Sequence, residues 1–131
     1  MVMDGSFASP GDDGFDTGVL PALLARLGAK VAIDLRRQLG ADLHDLRQTL
    51  GAALGPPPDM VAVARQAHIL IALAGTVGAT VLAARARRHW RAADQRDAGA
   101  SARLAFQILP RIDALVAFVA ACPLPADRPL P

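Results

Sequence analysis

The strongest constraint on the fold is a run of apolar residues between positions 31 and 54 that recurs at helical spacing. Successive members are four, four, four, three, four and four residues apart, which places them along one side of a long amphipathic helix starting near Lys30. The prolines at 56–58 cannot continue this helix, and Asp59 is a good cap for the next one. The apolar members are Val31, Leu35, Leu39, Leu43, Leu46, Leu50 and Leu54.

Four further segments have helical apolar spacing. A short one at about 20–27 precedes Gly28, and a second at about 60–77 is apolar nearly all round, as expected of a central helix. Two more follow, at about 80–97 and from near Ser101 to about 121, with residues 97–100 as the turn between them. Five helices with short connections predict an all-α fold, an antiparallel four-helix bundle with an additional short N-terminal helix.

Composition supports one helical domain with polar ends. The chain has 131 residues, 53% of them hydrophobic and 20% charged, and contains no Glu, Asn or Tyr. Such a length suits one hydrophobic core. Apolar spacing covers only the middle of the chain, so we expect a disordered acidic arm at 1–16, a bundle at 17–121 and a Pro-rich tail at 122–131.

Several features predict a soluble, cytoplasmic monomer with no membrane contact. The lone Cys122 can form no disulfide within the chain and suits a reducing compartment. The first sixteen residues carry acidic charge and lack the apolar run of a secretory signal. The longest uncharged apolar window, Ile69–Ala84, is shorter than the roughly 18 residues that a membrane-spanning helix needs.

His68 is the candidate functional residue of the third helix. A helical wheel places it opposite Leu70, Leu73 and Val77, so we expect it to be exposed. Small side chains near the imidazole leave room for another molecule's surface. The residues sharing its face are Val61, Ala64, Arg65, Ile71, Ala72 and Gly75. On spacing alone, a helical histidine without a function remains the alternative.

The segment around His68 resembles the signature helix of histidine-containing phosphotransfer (HPt) domains, whose pattern is approximately A-H-x-L-K-G-x-x-G-x-x-G-A. The matching residues are Ala67, His68, Leu70, Gly75, Gly78 and Ala79, with Leu82 where the family usually has leucine. The order of helices is also similar, so the resemblance covers about residues 17–121. This chain departs from the pattern at Ile71, where the family has lysine, and at Ala72, where it has glycine.

The resemblance implies a phosphocarrier rather than a conventional turnover enzyme. His68 would be the phosphoacceptor, and Arg65, one turn earlier, could replace the missing lysine charge. Ala64, Ile71, Ala72 and Gly75 would contact the partner. The implied partners are response-regulator receiver domains and a histidine kinase, which can be a hybrid kinase; the receiver supplies Mg²⁺, and this chain binds no cofactor.

Two other functions stay open. One is a degenerate HPt-like protein that binds a receiver or kinase without being phosphorylated. The other is an unrelated helical adaptor that uses the basic cluster Arg85, Arg87, Arg88 and Arg91, which surrounds His89 and Trp90. A solvated helix face is a better interpretation of this cluster than a nucleic-acid site, because no DNA- or RNA-binding motif frames it. It could also hold the acidic arm or an acidic partner.

The remaining candidate residues indicate structure rather than chemistry. Trp90 is interpreted as a packing residue, and His44 and His89 as structural histidines. No two histidines are spaced as metal ligands on one helix, and Cys122 is remote in sequence, so we expect no metal site.

Overall fold

The computed structural model describes residues 15–125, and this part of the chain is all-helical, as predicted. It contains five α-helices and no strand. The helices are α1 (Val19–Ala25), α2 (Ala29–Ala53), α3 (Met60–Thr76), α4 (Thr80–Asp94) and α5 (Ala98–Ala121).

Two aspartates begin helices by accepting backbone hydrogen bonds. Asp59 caps α3, as predicted, by accepting from the N–H of Ala62 at 3.1 Å. Asp97 caps α5 in the same way, accepting from the N–H of Ala100 at 3.0 Å. The prediction that 97–100 is a turn is therefore wrong, because this cap satisfies a free N–H and lets α5 begin at Ala98.

The four long helices pack in a ring around a shared core. Helix α2 contacts α3 and α5, and α4 contacts the same two helices; the short α1 packs on α2. Each long helix contributes buried apolar side chains to this core, so the described residues form a bundle-like fold. The largest fully buried apolar side chains are Leu20, Leu24, Leu43, Leu50, Leu70, Ile108 and Ile112.

Phe15 and Asp16, which were predicted to belong to the arm, pack against the bundle. The Phe15 ring makes an edge-to-face contact with Phe118, with ring centroids 4.7 Å apart. The Asp16 N–H donates to the Gly78 carbonyl oxygen at 2.9 Å. An apolar ring and a paired backbone group explain why the packed region starts before residue 17. The rest of the predicted arm, 1–14, lies outside the described residues.

The packed region also extends past residue 121. Cys122 is buried, and its carbonyl oxygen accepts a hydrogen bond from the Arg36 guanidinium at 2.8 Å. Leu124 is half-buried against the core. The first residues of the predicted tail are thus bonded to α2 or packed on the core. Residues 126–131 of that tail lie outside the described part of the chain.

Helix α5 is apolar enough to be compared with a membrane span. This helix of 24 residues passes that test by length and composition. It is the only such helix found within residues 15–125, and one such helix is weak evidence, because core helices of soluble proteins can pass as well. The longest uncharged apolar window of the sequence, Ile69–Ala84, lies outside this helix. The cytoplasmic location stays a prediction.

Candidate functional site

His68 lies midway along α3 with its imidazole exposed, as the helical wheel predicts. Leu70 and Val77 are fully buried on the opposite side, whereas Leu73 is half-buried. His68 makes no hydrogen bond or ion pair with any residue in the described range. Apart from its position in the helix, the side chain has one contact, with an aromatic ring, which is described below.

The predicted docking residues divide into two pairs. Ala72 and Gly75 are exposed on the same face as His68. Ala64 and Ile71 are instead half-buried and pack against the core. Ile71 therefore stabilises the bundle with part of its side chain, and only the remainder is available to a partner.

Gly75 leaves open space beside His68. The two residues are seven positions apart, or about two helical turns, so they share a face. A Cβ added at Gly75 would meet no atom within 4 Å. No close packing within the described chain therefore requires glycine at this position. Another molecule can approach the backbone of α3 there more closely than at any residue with a side chain.

Gly78, the second glycine of the motif, has a different role. Its φ is +88°, and a Cβ there would lie 2.6 Å from the Asp16 carbonyl oxygen. Glycine is thus needed at this position for the turn between α3 and α4 and for the close approach of Asp16. Of the two motif glycines, Gly78 serves the fold and Gly75 leaves the surface open.

The Trp90 ring lies beside His68, an arrangement not predicted from the sequence. The two ring centroids are 6.0 Å apart and the rings are tilted by 49°. Trp90 is 37% exposed, so it forms part of the surface and is not only a packing residue. A signal was present in the sequence, because both residues lie eleven positions from Ala79 at the α3–α4 turn. Two helices that pack antiparallel about that turn bring them opposite each other.

The surface around the two rings combines apolar side chains with positive charge. Val61 and Ile69 on α3 are 53% and 41% exposed. Arg65 is exposed one turn before His68, consistent with its expected position on this face. On α4 three members of the basic cluster are exposed, whereas Arg85 is half-buried. The exposed members are Arg87, Arg88 and Arg91.

His89 is a structural histidine, as predicted. It is fully buried, and its Nε2 shares a 2.8 Å hydrogen bond with the Ser101 hydroxyl, which links α4 to α5. Burial lowers the pKa of His89 because the charged imidazolium is poorly solvated there. The side chain is therefore inaccessible to a partner.

His44 has a different environment from His89. It is exposed in a shallow groove between α2 and α5, so the structure gives it no packing role. Arg36 and Arg37 line the same groove. No cluster of three or more His, Cys, Asp or Glu side chains that could hold a metal ion occurs among residues 15–125.

No protein-family model matches this chain, and neither the curated proteins nor the solved structures give a significant match. The geometry of the site therefore has to be interpreted by its own chemistry. An exposed imidazole is a nucleophile and a proton acceptor near neutral pH. Two of the three histidines are exposed: His44 lies in the groove between α2 and α5, and His68 lies on α3 beside Trp90.

Proposed function

We propose that this chain is a histidine phosphotransfer protein whose His68 relays a phosphoryl group between aspartates of receiver domains. The observation that carries the proposal is the exposed His68 beside the open space at Gly75, within a segment that resembles the HPt signature helix. A receiver domain must bring its aspartyl phosphate into contact with the imidazole, and this surface leaves room for that approach.

The finer fold proposed with this function is an antiparallel four-helix bundle with an additional short N-terminal helix. The contacts among α2, α3, α4 and α5 support this arrangement. The short α1 packs mainly on α2, which also supports it. In this arrangement α3 and α4 form one continuous surface. His68 lies halfway along α3, far from both ends, where a globular partner can cover it completely.

The chemistry needs little from this chain beyond the nucleophile. A lone pair of the neutral imidazole forms the N–P bond while the P–O bond to the receiver's aspartate breaks, and the carboxylate leaves. The receiver supplies Mg²⁺ to its own acidic pocket, and this chain binds no cofactor. The reverse reaction passes the phosphoryl group to a second receiver, so the protein acts as a phosphocarrier in the cytoplasm. A histidine kinase, which can be a hybrid kinase, provides the phosphoryl group at the start of the relay.

Positive charge near the transferred group comes from arginine in this proposal. Ile71 occupies the position where the HPt pattern has lysine and carries no charge. Arg65 lies three residues before His68, on the same face of α3. Its guanidinium can donate hydrogen bonds to phosphoryl oxygens as the transition state forms.

A second candidate function is binding of a receiver or kinase without phosphorylation. The exposed part of Ile71 favours it, because an apolar side chain at the usual lysine position suits adhesion better than charge stabilisation. The exposed Val61, Ile69 and Trp90 would support such binding in the same way. The two candidates share one surface and differ in whether an N–P bond forms at His68.

Phosphoryl transfer from a panel of radiolabelled receiver domains tests the proposal. We expect acid-labile label on the wild-type chain with at least one receiver, none on H68Q, and wild-type labelling on H44Q. Glutamine retains polarity without the nucleophilic nitrogen, and His44 is a matched control because it is also exposed and helical. Label on H68Q would overturn the assignment of His68. Stable receiver binding with no label on any variant would support the second candidate, and salt-sensitive nucleic-acid binding without receiver binding would support an unrelated adaptor.

A further inference from the structure

The groove between α2 and α5 lies on the other side of the ring of helices from the α3–α4 surface. Its volume is about 470 Å³, within the range of small-molecule sites. Side-chain bonds join α2 to the C-terminal half of α5 near both ends of the groove. Arg36 donates to the Cys122 carbonyl oxygen at 2.8 Å, and Arg47 donates to the Asp113 carboxylate at 3.0 Å. Between these two bonds, small side chains such as Ala120 leave the space between the helices unfilled.

The titratable side chains that line the groove are all basic. They are Arg36, Arg37 and His44, and none of the aspartates in the described part of the chain lines it. Arg37 pairs with Asp34, but the N–O distance is 3.4 Å and both side chains are more than half exposed. Such a pair is weak, so Arg37 can exchange Asp34 for the acidic group of a ligand at little cost.

Arg36 is a half-buried cation without a carboxylate partner. One of its N–H groups is used by the Cys122 carbonyl, and it forms no ion pair with any residue in the range 15–125. The bond to Cys122 holds the guanidinium at the groove, so little freedom is lost when a ligand binds. Its remaining N–H groups can pair with both oxygens of a carboxylate, the planar partner that a guanidinium fits best.

The rest of the groove is apolar. Ile33 is 37% exposed and Val116 is half-buried, and both line the groove together with the small side chains. His44 follows Arg36 by eight residues, which corresponds to about 12 Å along α2. An apolar chain lying along this distance would be removed from water together with the side chains beneath it, and this burial favours binding.

We propose that the groove binds a small carboxylate with an unbranched apolar chain. The carboxylate pairs with Arg36 and Arg37, and the chain lies over Ala120 and Val116 toward His44. The basic lining complements the carboxylate, and the apolar lining complements the chain. This site is independent of the proposed phosphoryl transfer, because it shares no residue with the α3–α4 surface that contains His68.

Nuclear magnetic resonance of the histidine ring protons tests the proposal in the full-length chain. The sequence has three histidines, of which His44 lies in the groove, His68 lies on the other side of the bundle and His89 is buried. The probe is octanoate, whose extended chain is comparable in length to the groove. At constant pH, we expect octanoate to shift the His44 signals along a saturable curve and to leave those of His68 and His89 unchanged.

Two related molecules separate the contributions of charge and chain. Acetate has the carboxylate without the chain, and octanol has the chain without the charge. We expect each to bind at least about tenfold more weakly than octanoate. Equal affinity of octanoate for the groove with either molecule would overturn the proposal, as would equal shifts at His44 and His68. Displacement of octanoate by a lower concentration of a short peptide ending in leucine would also overturn it, in favour of a protein tail.

Three variants, each checked for folding by circular dichroism, locate the site. R36Q should bind octanoate about 10- to 100-fold more weakly, because a hydrogen-bonded charge is lost. A120L keeps both arginines and fills the groove from an exposed position, so it should weaken binding at least about tenfold without unfolding the chain. R103Q removes an exposed arginine of α5 outside the groove and should bind octanoate as wild type does. Wild-type affinity in A120L, or in folded R36Q, would overturn the proposal.

Discussion

Substitutions at Gly75 distinguish the effect of this residue on stability from its effect on docking of a partner. The glycine lies in the last turns of α3, and a Cβ there would meet no atom within 4 Å. Gly75→Ala therefore adds no clash and removes the entropic cost of a helical glycine. We expect the free energy of unfolding to rise by about 0.5–1 kcal/mol. For a chain of this length that corresponds to about 2–5 °C in Tm.

A larger side chain at the same position tests the partner. Gly75→Leu should leave the bundle folded, because leucine is a good helix former and the space is open. If a receiver covers this face, however, the leucine must be accommodated between the two proteins. Overpacking of this kind costs about 1–3 kcal/mol. We expect kcat/KM for phosphoryl transfer to His68 to fall about 5- to 150-fold.

Gly40 provides the matched control. It lies inside α2, where it lines the groove between α2 and α5, and an added Cβ there also meets nothing within 4 Å. Gly40→Ala and Gly40→Leu should therefore change thermal unfolding, followed by circular dichroism, as the Gly75 variants do, and leave transfer unchanged. Equal transfer rates for Gly75→Leu and Gly40→Leu would refute the docking argument. A lower Tm for Gly75→Ala would refute the argument from open space.

Three further predictions concern charge, backbone geometry and pH. In single-turnover assays with one receiver, Ile71→Lys should raise the rate of phosphoryl acceptance by about one to two decades, and Arg65→Ala should lower it. An unchanged rate for Ile71→Lys would indicate that Ile71 is an apolar docking contact. Gly78→Ala should lower the free energy of unfolding in urea by about 1–3 kcal/mol, because alanine is strained at φ +88° and would approach the Asp16 carbonyl at 2.6 Å; wild-type stability would contradict this. Because burial lowers the pKa of His89 in the folded state, the unfolded state binds more protons, so stability should fall as pH drops below about 6.5. Urea unfolding between pH 7.5 and 5 measures this slope, and an H89Q variant with the wild-type slope would rule out His89 as its source.

Apolar spacing was sufficient to predict where the helices lie, but not every residue that faces the core. Leu39, Leu43 and Leu46 are buried as predicted, whereas Val31 is 55% exposed. The cause is geometric, since steps of four residues drift by about 40° each around a helix of 3.6 residues per turn. At the start of α2 the row of apolar residues therefore no longer faces the core, and Ala32 is buried there instead of Val31.

The candidate site was predictable in the parts that one helix decides. The exposure of His68 follows from its position on the wheel of α3. Its proximity to Trp90 depends on how α3 and α4 pack, and the wheel of either helix alone contains no information about that offset. The half-burial of Ile71 has the same origin, because side chains at the edge of an exposed face are covered or uncovered by the neighbouring helix.

The contact between Trp90 and His68 makes this protein its own fluorescent reporter. Trp90 is the only tryptophan, and the sequence has no tyrosine, so near-ultraviolet emission arises almost entirely from one indole. That indole is 37% exposed and 6.0 Å from the imidazole. Its emission will therefore respond to changes in solvent and charge at this one location. The proposed binding of a receiver, and the proposed attachment of a phosphoryl group to His68, can therefore be tested in real time without a label and without a substitution.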